Sequence, residues 1–349
     1  MALLVERASL SSVLEEGTRT FPSREAYDKL ERRVATVDKT LFEKIAQCQP
    51  GICLYGFAPP KLTTAPDQLA NIAKQQVERL ARLDVDGVIL YDIQDEAQRT
   101  SEPRPFPFLP TIPPEQYAAE HLGSLARPKI IYRCVASDTR DSFKAWLLGM
   151  RGAPAITVLV GAPSRDAVGG LGLREAYALV AQYAPGLTLG GIAIAERHAH
   201  ALDEHTRILA KADAGCSFFV TQAVYDVTST LSLLSDYALA LEAAGRPPSP
   251  IVLTFSPCGS VKTLEFMKWL GIRFPRWLEN ELRFARDPLE TSLGLCERIF
   301  LEVWDFARKK GLPLGVNVES VSIRKAEIDA STQLVKTLRT HTQRSLYHP

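Results

Sequence analysis

The chain has 349 residues, 46% hydrophobic and 23% charged, and its 41 Lys and Arg against 40 Asp and Glu leave a formal net charge of +1. It is too long for a small stapled scaffold and too balanced in charge for nucleic acid to be its main partner. No apolar run approaches the roughly 18 residues that cross a bilayer, and Glu6, Arg7, Glu15 and Glu16 break the start where a signal or transit peptide would be apolar or acid-poor.

Residues 1–50 read as an N-terminal helical extension. Leu30, Val34, Val37, Leu41 and Ile45 recur at helical spacing on a charged helix from about Glu25 to Gln47. The simplest role for it is packing on its own domain; plugging the bottom of a barrel or making a dimer contact are the alternatives. From residue 51 onward, short β-branched or aromatic runs alternate with helix-period segments. The runs are Gly51–Phe57, Gly87–Asp92, Lys129–Val135, Ala155–Gly161, Leu187–Ala195, Cys216–Gln222, Ser249–Phe255 and Leu312–Val318. Their nearly continuous apolar character suits strands buried on both faces of a parallel sheet.

Between them, Leu69, Ile72, Ala73, Val77, Leu80 and Ala81 share a helix face, as do Ala176, Leu179, Val180 and Tyr183. Asp287-Pro288-Leu289-Glu290 reads as N-cap, proline at N1 and glutamate at N3 of a helix that buries Cys296, Ile299, Phe300, Val303, Trp304 and Ala307. Gly215 and Gly311 stand where helix-ending glycines belong. Strands alternating with helices in this way predict an α/β chain, a (β/α)8 TIM barrel over residues 51–349, with a doubly wound open sheet as the alternative. Phe274–Arg286 is an addition to that plan. Six dispersed cysteines without a C-x-x-C pair read as reduced core thiols of a cytoplasmic protein.

A (β/α)8 barrel gathers its chemistry at the C-terminal ends of its strands. There the densest acidic patch is Tyr91-Asp92-Ile93-Gln94-Asp95-Glu96; strand three ends near Arg133, strand five delivers Glu196, Arg197 and His198, and strand eight delivers Asn317 and Glu319. Acids so placed act as general acids or hold a substrate amine, or else cap a solvated turn. His198, His200 and His205 invite a metal reading, but their spacing matches no strong zinc signature, and no metal is expected. Gly161 to Gly172 is a glycine-rich stretch entering a helix, without the ending of a P-loop. The run Lys211 to Gln222 closes a helix, turns on Gly215 and ends a buried strand on the amide of Gln222, a group suited to the edge of a heterocycle.

At this point the sequence resembles the methylenetetrahydrofolate reductase family. Lys211 to Asp226, with Thr221-Gln222 and Tyr225-Asp226, is similar to its K-x-D-A-G-A…T-Q…D pattern; Tyr55-Gly56-Phe57-Ala58-Pro59-Pro60 is similar to F-E-F-F-P-P; Ile194-Ala195-Glu196 and Phe274-Pro275-Arg276-Trp277 match two further turns. The likeness covers roughly residues 50–340. It implies a (β/α)8 barrel that binds FAD and moves hydride from NAD(P)H to 5,10-methylenetetrahydrofolate, giving 5-methyltetrahydrofolate. Gln222 would contact folate, with Tyr91 and Phe57 as further substrate contacts. Glu204, Arg207 and Lys211 would hold the cofactor together with Arg133, Glu196 and His198. A folate substrate and a homo-oligomer are the expected partners.

Two positions depart from that pattern. The family's first-strand glutamate, the general acid for opening the folate ring, falls on Gly56, and its fourth-strand aspartate falls on Ala162. Replacements are sought in Asp92, Glu96 and Glu319, with Asp92 the best placed of the three. A barrel that binds folate or flavin without reductase activity, and a reductase that uses nicotinamide directly without flavin, are the alternatives.

Overall fold

The computed structural model describes residues 40–95, 103–150, 155–162 and 170–347. The strands β1 (Cys53–Phe57), β2 (Gly87–Leu90), β3 (Lys129–Cys134), β4 (Ile156–Val160), β5 (Thr188–Ala193), β6 (Cys216–Ala223), β7 (Ile251–Phe255) and β8 (Leu314–Glu319) pair in chain order. All neighbours are parallel, and β8 returns to β1 with Gly56 opposite Glu319, so the sheet closes into the expected barrel rather than an open sheet.

The described helices are α1 (Leu41–Ala46), α2 (Pro66–Ala81), α3 (Pro114–His121), α4 (Arg140–Gly149), α5 (Leu173–Tyr183), α6 (Ala195–Ala201) and α7 (Glu204–Asp213). They continue with α8 (Val227–Ala244), α9 (Val261–Trp269), α10 (Arg276–Phe284), α11 (Pro288–Lys309) and α12 (Lys325–Tyr347). Helix α11 starts as its sequence dictates: the Asp287 carboxylate accepts from the N–H groups of Leu289 and Glu290 at 3.0 and 3.1 Å, and Pro288 needs no partner there. Cys296, Ile299, Phe300, Val303, Trp304 and Ala307 are all buried on its inner face. Gly215 and Gly311 take φ of +104° and +69°, a left-handed turn that a side chain would strain. The Phe274–Arg286 addition contains α10.

Most of the expected helix from Glu25 to Gln47 lies outside the described residues; within them α1 begins only at Leu41, after an extended Thr40, and packs inside the barrel floor. Leu41 and Ile45 belong to the same apolar cluster as the inward side chains Ile52, Leu54, Ile89, Ile130, Ile156, Val158, Phe218, Val220 and Val252. Gly87 leaves room for this plug: a Cβ there would stand 2.6 Å from a Leu41 methyl. A capping box between Thr40 and Glu43 starts the helix. Lys44 pairs with Asp86 at 2.6 Å, whose other oxygen accepts from Cys53 N, which fastens the plug to the start of β1. Burial of two aliphatic side chains contributes about 1.5–3 kcal/mol each.

All six cysteines are unbridged thiols, and five of them are buried. Among the described residues, no helix is long and apolar enough to cross a membrane.

Candidate active site at the strand ends

Strand residues alternate between the barrel interior and the helix layer. Below, the inward positions are apolar and form the dry cluster above α1. Toward the strand ends they turn polar. Asn317 of β8, wholly buried, donates from Nδ2 to the Tyr91 hydroxyl at 2.8 Å and to Thr254 Oγ1 at 3.2 Å. Tyr91 in turn donates to the Glu319 carboxylate and meets Tyr132 edge to face at 4.9 Å between ring centroids. These residues form one network across β2, β3, β7 and β8.

Glu319 is the acid of this network. Desolvation in the barrel mouth pushes its carboxyl up to about 7, against the opposing pull of the Tyr91 hydrogen bond. Both tyrosines are held well above the ordinary phenol range, first by burial and then by the neighbouring Glu319 charge, so they remain protonated donors. A carboxyl group that is half protonated near neutrality is suited to give and take a proton.

Glu319 lies directly opposite Gly56 in the β1–β8 ladder. A Cβ at position 56 would come within 2.6 Å of the Tyr91 hydroxyl and 2.7 Å of its ring. The tyrosine therefore fills the volume of a first-strand side chain, and the carboxyl group sits on the adjacent strand instead.

Gln222, next to last in β6, lies in a bulge, where the register with β7 jumps from Val220↔Val252 to Ala223↔Thr254 and the Thr221 hydroxyl accepts from Thr254 N at 2.9 Å. Its Nε2 donates to the carbonyl of Leu270 at 2.7 Å, beyond α9, while its Oε1 is buried without a donor. Asn317 Oδ1 is likewise a buried acceptor without a donor. Two such acceptors at the strand ends suit a ligand rich in N–H groups. The segment after α9 covers this end of β6: Phe274 packs on Tyr225 at 4.4 Å, and Arg273 pairs with Asp226 at 3.3 Å.

Other candidates are committed elsewhere. Asp92 follows the inward Tyr91 and reaches across to the end of β3, where it accepts from Cys134 N at 2.7 Å and, beside it, from Gln94 Nε2 at 2.6 Å. The best-placed acid in the sequence is thus a brace between β2 and β3. Glu96 lies outside the described residues, as does most of the glycine-rich stretch after β4. Phe57 follows the inward Gly56 and packs with the outer core, on the helix side of the barrel. Sequence reading passes over Tyr132 and Thr254, although each stands two residues beyond an inward apolar residue, Ile130 and Val252.

The residues named for a cofactor also have internal partners. Arg133 grips Asp138 through Nε and Nη2 at 2.9 and 2.7 Å and Glu115 at 2.8 Å. Glu204 is wholly buried and accepts from Ile194 N at 3.2 Å; Lys211 donates to the Ile192 carbonyl and lies 3.7 Å from Glu204. Arg207 pairs with Asp203 at 2.9 Å, Glu196 accepts from Arg273 N at 3.5 Å, and His198, wholly buried, meets Asp236 at 3.0 Å. Each cation of this set already faces a carboxylate or a carbonyl. Arg207 and Lys211, the two cations expected to pair with a cofactor pyrophosphate, thus each have a partner within the chain, and the Arg207–Asp203 pair is partly exposed.

No family model matches the chain, and no curated protein matches it. Among solved structures, an uncharacterized protein from Clostridium thermocellum that binds two copies of 5-methyl-5,6,7,8-tetrahydrofolic acid is 42% identical with a TM-score of 0.78, covering 86% of this chain and 99% of that one. A GH113 β-1,4-mannanase is 13% identical at a TM-score of 0.47, over 82% of this chain and 98% of that one, and bears on nothing chemical here.

Proposed function

We propose, from the premise that the chain belongs to the same folate-binding (β/α)8 family as the Clostridium thermocellum protein, that it binds a reduced folate at the C-terminal mouth of its barrel, with Glu319 as the acid that acts on it. The single observation that carries the chemistry is the placement of Glu319: a carboxyl group raised to about 7, hydrogen-bonded by Tyr91 and opposite Gly56. The acceptors Gln222 Oε1 and Asn317 Oδ1 supply partners for pterin N–H groups.

The fuller reading is reduction of 5,10-methylenetetrahydrofolate to 5-methyltetrahydrofolate with NAD(P)H. In that reaction the bond from the methylene carbon to N10 breaks, N10 takes a proton from Glu319, and the resulting N5 iminium accepts a hydride at the methylene carbon. The acid supports this reading. Hydride can reach the substrate from NAD(P)H through a bound FAD or directly from the nicotinamide, and the two routes differ in their need for added flavin.

Two measurements test the proposal. Calorimetric titration of the purified chain with 5-methyltetrahydrofolate should give saturable binding and its stoichiometry; no binding overturns the folate reading. NAD(P)H oxidation should be seen in the presence of 5,10-methylenetetrahydrofolate, and its rate with and without added FAD separates the flavin relay from direct transfer. Binding without oxidation under either condition leaves a folate-binding barrel and removes the reductase.

A further inference from the structure

In the helix layer outside β5 and β6, three side chains of metal-ligand type converge from three helices. One ring nitrogen each of His198 (α6) and His205 (α7) and a carboxylate oxygen of Asp236 (α8) all lie within 4.8 Å of one another. The rings meet edge to face with centroids 5.4 Å apart, and His198 Nε2 stands 3.0 Å from Asp236 Oδ2.

Hydrogen bonding within the protein accounts for only part of this group, the His198 Nε2 to Asp236 contact. His198 is wholly buried, and its Nδ1 has no partner; His205 Nδ1 is also buried and without a partner. A buried imidazole nitrogen without a partner is uncommon in a folded chain. Leu202 ends α6 in a left-handed turn at φ 53°, its N–H donating to the His198 carbonyl, and α7 starts two residues later at Glu204, so both histidines flank one short turn. The Asp236 side chain is 42% exposed, which leaves a route for an ion and a position for water.

We propose that His198, His205 and Asp236 bind a zinc ion, with water as the fourth ligand, and that the ion ties α6 and α7 to α8. Two imidazoles and one carboxylate are a ligand set that zinc accepts, and contraction of the three atoms about the ion brings them to coordination distance. The sequence conceals the site because its third ligand lies on a distant helix; the exposed His200, which the local spacing favours, takes no part.

The test uses the full chain after removal of metal by a chelator. Cobalt(II) added as a spectroscopic probe should give a visible band of tetrahedral intensity that zinc abolishes, and zinc should raise the melting temperature, as any ligand of the native state does. His205→Ala and Asp236→Asn should each weaken zinc binding by at least about tenfold, the lower range of what even outer-shell changes cost. If His205→Ala does not fold, Asp236→Asn decides, since it keeps the shape of a half-exposed side chain. Failure of the wild-type chain to bind cobalt or zinc, or binding that Asp236→Asn leaves unchanged, overturns the proposal.

Discussion

The hydroxyl of Tyr91 stands 2.6 Å from the point where any side chain at Gly56 would begin. The two positions share one volume, so Gly56→Ala should destabilise the fold by about 1–3 kcal/mol, the usual cost of overpacking. Tyr91→Ala in the same chain should recover much of that loss. Urea denaturation of the two single variants and the double variant measures the coupling; additive effects would refute the shared volume.

Glu319 has a pH signature of definite sign. Its folded carboxyl titrates at about 7 against an ordinary 4.5, so the native state binds the extra proton between those values. Stability therefore falls as pH rises through that window. Glu319→Gln should match the wild type near pH 4 and exceed it by up to about 3 kcal/mol near pH 8. In the reductase reading, wild-type turnover declines above about pH 7 as the acid is lost. The variant should be slower by about 10²–10⁴-fold without that decline. Stopped assays across pH and parallel thermal melts check both halves.

Asp92→Ala should act on the fold and leave the chemistry alone. It removes the acceptor for the Cys134 N–H and for the Gln94 amide, at a cost of about 1–3 kcal/mol. Turnover per folded molecule should be unchanged; a large fall in it would return Asp92 to the catalytic account.

Gln222→Leu preserves size and removes the acceptor. Folate affinity measured by calorimetry should drop about tenfold, equivalent to about 1.4 kcal/mol for one hydrogen bond. Equal affinity would place the pterin elsewhere.

Leu41→Ala opens a cavity in the barrel floor beside Gly87 and Leu54. A loss of about 2–5 kcal/mol is expected, visible as a lower denaturation midpoint with no change in folate affinity. A neutral substitution would mean that α1 is not part of the core.

Much of the barrel was legible because its signals are local. Apolar runs, the Asp287-Pro288 helix start and the glycines at 215 and 311 each act within a few residues of where they are read, and the strands and helices appear where those signals stand. The site was less legible because its partners are not local. Glu319 could be named as a strand-end acid, but its neighbours Tyr91, Asn317 and Thr254 come from β7, β8 and the end of β2, and only barrel closure joins them. Asp92 drew attention by the acidity around it, yet side-chain alternation turns it away from the interior that Tyr91 faces. Counting strand positions by twos from Ile89 would have separated the two residues; charge density alone could not.

The exchange of space between positions 56 and 91 also limits which side chains the two positions can carry at once. A carboxylate cannot be placed at position 56 while the tyrosine ring stands there, and removing the ring takes a hydrogen-bond partner from both Asn317 and Glu319. A chain carrying bulk at both positions would clash and one carrying it at neither would have an empty corner in its mouth, so the two positions change safely only together.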